Sequence, residues 1–142
     1  MADLVDHIAQ AKHNLACASK LIRDIQCRDW AITATFYSAV HFAEAGFTAV
    51  SDVGHSDIHR PSDQEPHAYR ERLIREKYGE ACYKSYRKLR VASYNVRYLA
   101  DWQTKTGTSL DYYNQATAEK FLTVELPLVR QEIQKAVGVK LD

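Results

Sequence analysis

Glycine and proline are scarce in this sequence, with five glycines and three prolines among 142 residues. They cluster between long periodic segments, which favours helices joined by loops, and no segment shows a convincing strand pattern. Gly54, Gly79 and Gly107 are isolated from one another, so the chain lacks the Gly-rich loop that cradles phosphates in many nucleotide-binding proteins. No nucleophilic triad finds support either.

Cysteine and long apolar runs are also in short supply. The three cysteines, Cys17, Cys27 and Cys82, are odd in number and form no Cys-x-x-Cys pair. They predict a reduced, cytoplasmic chain with small buried thiols. No apolar run reaches the roughly 18 residues of a membrane span, and the N-terminal segment mixes acidic, basic and His residues, unlike a signal peptide. The net charge of +1 by itself indicates neither nucleic acid nor a membrane as partner.

The length and the 46% of hydrophobic residues predict one domain over residues 1–142. Apolar residues recur at helical spacing over about 3–24, 28–50, 66–102 and 114–137. The second segment is apolar around so much of its circumference that it belongs in the middle of a bundle. Gly79 is expected to bend the third segment, and Pro127 to kink or divide the fourth. The prediction is an all-α, up-and-down bundle of four to five helices.

A polar segment, about 51–67, separates the second helix from the third. It holds one Gly, two Pro and three His, and it predicts a long flexible loop. His55 and His59 have a spacing that would chelate a metal on a helix, but the segment is predicted to be a loop without a nearby thiolate. We therefore predict no metal and no other cofactor. The loop, with His67 at its end, is either a polar surface or a mobile flap that contributes a His or Asp to a cleft.

Arginine and tyrosine residues line one face of the third segment. At about 100° per residue, one narrow stripe contains Tyr83, Arg87, Arg90, Tyr94, Arg97 and Asp101. The opposite face, which is predicted to be the core face, contains Ser85, Leu89, Ala92, Val96 and Leu99. Between residues 69 and 98 there are nine Lys or Arg against three Glu, an excess of six on a nearly neutral chain.

Three interpretations of the stripe follow from its composition. It is a solvated face whose arginines lie over tyrosine rings, a surface that grips phosphates and stacks on unpaired bases, or a homodimer interface, since interfaces are rich in Arg and Tyr. Trp30 and Trp102 are interpreted as packing residues. Trp102, which follows the stripe, is also a candidate for closing a dimer interface.

Three stretches carry a resemblance to a known family. They are "AKHNLACASKLI", then "RDWAITATFYSAVHFAEAGFTAV" with its small and aromatic residues and embedded His, and "LRVASYNVRY". On these stretches the chain resembles, over most of its length, the HEPN superfamily (higher eukaryotes and prokaryotes nucleotide-binding). Many members carry an Arg-x-x-Ala-Asp-Tyr or Arg-x(4–6)-His signature at the third stretch. The resemblance implies a four- or five-helix bundle that dimerises, with the signature helices of two subunits around a shared cleft.

The family's signature is carried over in part. Arg90 matches its arginine, and Ala92 and Tyr94 match the Ala and Tyr of the first version, with one residue fewer after the arginine and Ser93 in place of Asp. Asn95, and at the upper limit of spacing Arg97, stands where the second version has His. The resemblance thus implies that Arg90 grips phosphate. From their places in the stripe, Arg87 and Arg97 are expected to flank Arg90, and Tyr94 to stack or orient. Asn95 can hydrogen-bond but cannot titrate.

His41, on the second helix, is the substitute for the missing signature histidine. It lies one turn from Tyr37 and about one turn from Glu44. Similar positions in the family often face the cleft, where His41 would handle a proton together with Asn95. The alternative is a half-buried His bonded to a neighbour.

The function expected from these residues has two forms. The first is an RNA- or nucleotide-binding protein of a prokaryotic toxin–antitoxin or phage-defence system, either non-catalytic or a metal-independent ribonuclease. Its partners would be a second copy of itself, RNA or a nucleotide, and a cognate antitoxin or other operon partner, with no membrane. The second is a non-enzymatic homodimeric module in which the Arg/Tyr stripe is a protein–protein interface.

Overall fold

Helices account for all the regular structure in the computed structural model, which describes residues 1–50, 52–100 and 107–142. No β-strand occurs in those ranges, so the all-α prediction is confirmed. The helices are α1 (Leu4–Leu21), α2 (Arg28–Ala49), α3 (Pro66–Tyr78), α4 (Glu80–Tyr98), α5 (Gln115–Lys120) and α6 (Leu126–Val137). A π-helical turn (Phe121–Glu125) joins α5 to α6 in one continuous segment, so the described residues form five helical rods.

Helix α2 lies in the middle of the bundle, as its apolar circumference predicts. It packs against α1, α4 and α6, and its aromatic residues Phe36, Phe42 and Phe47 are fully buried. Helix α1 begins at a capping box, in which Asp3 accepts from the backbone N–H of Asp6. Trp30 departs from the packing role assigned to it, because it lies in the first turn of α2 with 61% of its surface exposed.

The third predicted segment is two helices rather than one bent helix. Gly79 has φ +91°, a conformation that side chains with a Cβ rarely adopt, and it ends α3 and begins α4. Helix α4 ends at Leu99, which is left-handed (φ +51°) and 53% exposed. The prediction that Leu99 belongs to the core face is therefore wrong, since the left-handed cap turns the chain away from the helix.

The other predicted core residues of α4 are confirmed. Ser85, Leu89, Ala92 and Val96 are all buried. The last member of the stripe, Asp101, and the expectations for Trp102 lie outside the described residues.

Pro127 divides the last helical segment without ending it. The backbone N–H of Leu126 donates to the carbonyl of Phe121, five residues earlier, and α6 continues from there. Proline has no N–H to donate and its ring crowds the preceding turn, so a widened π turn just before it accommodates both constraints.

The predicted loop after α2 is fastened to the bundle at its middle. Val53 and Ser56 are buried, and the backbone N–H of Ser56 donates to Glu44 on α2 at 2.9 Å. The predicted helical start at Pro66 is confirmed, and the first turn of α3 also includes His67, which was predicted to end the loop. His67 therefore has a helical position.

Two further predictions concern cysteines and membranes. Cys17, Cys27 and Cys82 are free thiols, and the prediction that they are buried holds only for Cys82, whose pKa burial raises to about 12. Among the helices within the described ranges, none combines the length and apolar character that a bilayer crossing requires.

Candidate functional site

Arg90 lies where helices α3 and α4 meet. Its Nε donates to the Oε1 of Glu71 on α3 at 2.6 Å, and both side chains are largely shielded from solvent. A charge-assisted hydrogen bond of this length fixes the guanidinium in one orientation. The predicted phosphate-gripping residue is thus already paired with a carboxylate, which offsets its charge and leaves its Nη groups as donors.

Arg97 has no carboxylate partner in the part of the chain that the structure describes. Its Nη1 donates to the Tyr37 hydroxyl at 3.1 Å, and its Nε donates to the Ser93 carbonyl at 3.2 Å. The guanidinium also lies 5.0 Å from the centroid of the Tyr98 ring. These contacts are all to neutral groups, so no carboxylate of the described residues offsets the charge of Arg97.

His67 is half-buried among the arginines. Burial lowers the pKa of this imidazole, and Arg70, Arg90 and Arg97 lower it further, which outweighs the opposing effect of Glu65. The Nδ1 of His67 lies 3.3 Å from Nη1 of Arg70. Because a guanidinium only donates, this Nδ1 accepts, and the neutral ring carries its proton on Nε2.

Arg70, Arg90, Arg97 and His67 are referred to below as the arginine–histidine cluster. Three guanidinium groups from α3 and α4 act on one imidazole that stays neutral at pH 7. The sequence places Arg90 and Arg97 in one stripe and assigns His67 to a flap. The structure brings all three together with Tyr37 of α2, because α3 packs against α4.

The charge of Arg70 is offset inside the protein. Its Nε donates to Oε1 of the buried Glu44 at 2.6 Å, and that carboxylate also accepts from the Ser56 hydroxyl and backbone N–H. Burial opposes ionisation of Glu44, but Arg70 and the Ser56 hydrogen bonds outweigh it and lower the pKa of the carboxyl. Arg70 is therefore a fixed, paired charge that positions His67.

His41 is bonded to a second histidine, His7 of α1. Their Nδ1 atoms lie 3.1 Å apart, so one donates and the other accepts. Burial lowers the pKa of both imidazoles, which keeps them neutral at pH 7. His41 is half-buried beside Tyr37, the residue that receives the hydrogen bond from Arg97. The structure thus shows the half-buried His bonded to a neighbour that was one of the two alternatives, while the role of His41 in a cleft stays a prediction.

Asn95 is separated from the cluster. Its Nδ2 donates to the hydroxyl of Tyr113, in the segment that precedes α5, at 3.0 Å. Five residues along a helix correspond to a rotation of about 140° from Arg90. The structure therefore does not bring Asn95 to the position that a signature histidine would share with Arg90.

Arg87 and Tyr94 lie on the outer surface of α4. Arg87 is exposed and donates to the Tyr83 hydroxyl at 2.8 Å. Tyr94 is half exposed, with its ring centroid 5.0 Å from that of Tyr98. Both are accessible beside the cluster, and neither contributes to its hydrogen bonds.

Arg70, Glu71 and His7 were not predicted as residues of this site, and His67 was predicted only as part of a loop. His67 and Arg70 are three residues apart directly after Pro66, a spacing that predicts one face of a helix. His7 precedes Ala11 by four residues on the apolar face of α1, which was a usable signal for burial. The pairing of Glu71 with Arg90, in contrast, joins two helices and leaves no local pattern.

The described residues contain no set of three or more His, Cys, Asp or Glu side chains arranged to hold a metal ion. His59 is exposed, and His55 packs against His7, with their ring centroids 5.2 Å apart. No family model, no curated protein and no solved structure matches this chain.

Proposed function

We propose that the protein binds RNA or a nucleotide through phosphate, at the arginine–histidine cluster. The observation that carries the proposal is the grouping of three arginines of α3 and α4 around one site, where Arg70 lies 3.3 Å from His67 and Arg90 and Arg97 act on the same imidazole electrostatically. Glu44 and Glu71 offset two of these charges, and Arg97 has no such partner among the described residues. A site with preoriented donors and an excess positive charge favours an anion that accepts several hydrogen bonds, as phosphate does.

Each residue has a distinct role in this proposal. Arg97 provides the uncompensated charge, and Arg90 adds guanidinium donors held in place by Glu71. His67 donates through Nε2–H, since its Nδ1 accepts from Arg70. The exposed Arg87 and Tyr94 extend the binding surface along a bound RNA strand, because rings and guanidinium planes stack on unpaired bases.

The resemblance to HEPN proteins supports the same function and adds a context. Many HEPN proteins act in toxin–antitoxin and phage-defence systems, and members of the family usually dimerise. We therefore include a second copy of the chain and a cognate antitoxin or other operon partner in the proposal.

The test is the binding of a labelled single-stranded RNA, measured by fluorescence anisotropy at several salt concentrations. Each phosphate contact contributes about −0.7 to the slope of log K against log salt for a single strand. Replacing Arg97 with Gln should weaken binding and reduce that slope by about 0.7. The matched control is Arg72→Gln, which removes an exposed arginine of α3 that pairs with Glu76.

Arg90 requires a compensated variant. Removing it alone leaves the shielded Glu71 carboxylate without its partner, which would confuse loss of folding with loss of binding. The double variant Arg90→Gln/Glu71→Gln replaces both charges and keeps two groups that hydrogen-bond. The proposal would be refuted if this variant and Arg97→Gln both bind RNA with the wild-type affinity and the wild-type salt slope.

Ribonuclease activity is a second candidate, favoured by the paired imidazoles of His7 and His41. If His41 Nδ1–H donates to His7, the His41 Nε2 has a free lone pair that can accept the proton of a 2′-hydroxyl. Cleavage of RNA that persists in EDTA and is lost in His41→Gln and Arg97→Gln would establish this chemistry. RNA binding without any cleavage would restrict the protein to a binding role.

The homodimeric interaction module is favoured by a different observation. Tyr94, Tyr98 and Leu99 each expose half or more of their surface at the C-terminal part of α4, and exposed aromatic and apolar residues are typical of interfaces. A dimer that persists at high salt, with RNA binding absent at low salt, would support this alternative over phosphate binding.

A further inference from the structure

A groove of about 570 Å³ runs between α1 and α2, beside the arginine–histidine cluster. Its size lies within the range of ligand sites in proteins. All of its walls belong to described residues, which are Gln10, Asn14, Leu21, Trp30, Thr33, Ala34, Tyr37 and His41. The groove thus combines an apolar floor, one large aromatic ring and a small number of polar groups.

Trp30 is the most unusual residue of this groove. It is 61% exposed, although tryptophan is on average a highly buried residue. Its position in the first turn of α2 places it on a rigid element. A solvent-exposed indole on a helix offers a flat face on which another planar group can stack.

Two amide side chains line the groove from α1. The Nε2 of Gln10 donates to the Oδ1 of Asn14 at 3.0 Å. Whichever way the two amides are oriented, one NH₂ group and one carbonyl oxygen remain available to a ligand. Adjacent donor and acceptor groups match the Watson–Crick edge of a nucleobase.

The groove is continuous with the proposed phosphate site through Tyr37. The Tyr37 hydroxyl receives the hydrogen bond of Arg97, and the same side chain lines the groove. Trp30 also borders the cleft that Arg97 lines at the end of α4. A ligand with a phosphate at Arg97 would therefore have its planar part within reach of Trp30.

We propose that this groove is a base-binding subsite, in which an unpaired nucleobase stacks on Trp30 with its edge toward Gln10 and Asn14. This inference rests on the proposed phosphate-binding function and extends it to single-stranded RNA or a nucleotide. An anion without a planar ring would occupy only the arginine–histidine cluster.

The test compares a single-stranded RNA hexamer with an abasic hexamer of the same length and charge. Stacking on an aromatic side chain should make the RNA bind about 5- to 150-fold more tightly than the abasic strand. Trp30→Ala should abolish that difference and leave the affinity for the abasic strand unchanged. Trp30→Phe should retain part of it, because a smaller ring still stacks. Arg97→Gln, in contrast, should weaken binding of both strands.

Tryptophan fluorescence provides a direct readout of the subsite. The chain has two tryptophans, so a Trp102→Phe background leaves Trp30 as the only indole. Adenosine monophosphate should quench its emission, and ribose 5-phosphate should not. Asn14→Asp should change the ranking of the four nucleoside monophosphates while thermal unfolding stays unchanged.

The outcomes separate this inference from the function on which it rests. If Trp30→Ala binds RNA with wild-type affinity and Arg97→Gln binds it more weakly, the proposal of a base-binding subsite is wrong and the proposal of phosphate binding stands. Absence of binding of both strands at low salt would overturn both. A wild-type dimer that Trp30→Ala converts to a monomer, without effect on RNA affinity, would reassign Trp30 to a protein–protein interface and overturn the subsite.

Discussion

At the scale of single residues, the partner of each arginine decides its role. Arg70 is buried and bonded to Glu44, Arg90 is half-buried and bonded to Glu71, and Arg97 is bonded to a tyrosine hydroxyl and a backbone carbonyl. The resemblance to the family's signature predicts that Arg90 is the main phosphate-binding residue. The structure places the uncompensated charge on Arg97, because that guanidinium contacts neutral groups in the described part of the chain.

Glu44 should be the residue on which the stability of the interior depends most. Replacing it with Gln leaves Arg70 as a buried charge without its counter-ion, which costs about 3–5 kcal/mol of the free energy of unfolding. Urea denaturation monitored by circular dichroism measures this loss. The matched control is Glu80→Gln, which disrupts the exposed pair with Arg75 and should cost less than about 1 kcal/mol. Equal losses for the two variants would contradict the structural role of Glu44.

At the scale of elements, the break between α3 and α4 at Gly79 brings the residues of the site together. Helices α3 and α4 pack against each other because the chain reverses there, and this packing brings Glu71 to Arg90 and His67 to the arginines. One continuous helix over this segment would carry these residues apart along a single rod. The arrangement of the cluster therefore depends on the backbone conformation of one glycine.

Gly79→Ala should destabilise the protein for a conformational reason alone. A Cβ at this position meets no atom within 4 Å, so no steric clash contributes. The positive φ is strained for alanine, and we expect a loss of about 1–3 kcal/mol in the free energy of unfolding. The neighbouring substitution Glu80→Ala, at an ordinary helical position, should cost less than about 1 kcal/mol. Equal stability of Gly79→Ala and the wild type would show that the turn tolerates another conformation.

At the scale of the whole molecule, histidines connect several elements. His7 of α1, His41 of α2 and His55 of the following loop lie together beside Glu44, and His67 of α3 lies beside Arg70. Burial lowers the pKa of His7, His41 and His67. Their protonation would add positive charge to an interior in which Glu44 already pairs with Arg70.

The free energy of unfolding should therefore fall on acidification. Since these pKa values lie below the value of about 6.5 in the unfolded chain, the unfolded state binds more protons as the pH drops. Stability should be highest above about pH 7.5 and decline as the pH falls through the lowered pKa values. The lowered pKa values of Glu44 and Glu65 add a second decline below about pH 4.5.

Urea denaturation at pH 8, 6.5 and 5 measures this dependence. The double variant His7→Gln/His41→Gln should show a weaker decline between pH 8 and 5 than the wild type. His13→Gln, which changes an exposed histidine of α1, should decline as the wild type does. A wild-type stability that rises on acidification would show that the buried imidazoles are not neutral in the folded state.

Much of the fold was predictable because it depends on local patterns. Apolar periodicity located α1 and α2 within a few residues, and the scarcity of glycine and proline indicated an all-helical chain. The stripe and the core face of α4 were separated correctly except at Leu99, whose left-handed cap depends on where the helix ends. Gly79 was recognised as a weak point, but periodicity on both sides of it did not reveal that the chain reverses direction.

The candidate site was predictable only in part. Arg90 and Arg97 share a stripe that the sequence shows directly, and His41 was identified from its place on the second helix. The exposure of Trp30 was not predicted, because an isolated tryptophan at the start of an apolar helix has the same local pattern whether it is covered or not.

The sequence by itself determined that this chain is helical, which helix is central and which face of α4 carries arginine and tyrosine. These properties follow from the spacing of residues along one helix. Only the tertiary structure decided that Glu71 neutralises Arg90, that Arg97 contacts Tyr37, and that His67 lies among three arginines. Such pairs join residues 19 to 60 positions apart, and their energies depend on distance and burial, which helix packing sets and sequence spacing does not encode.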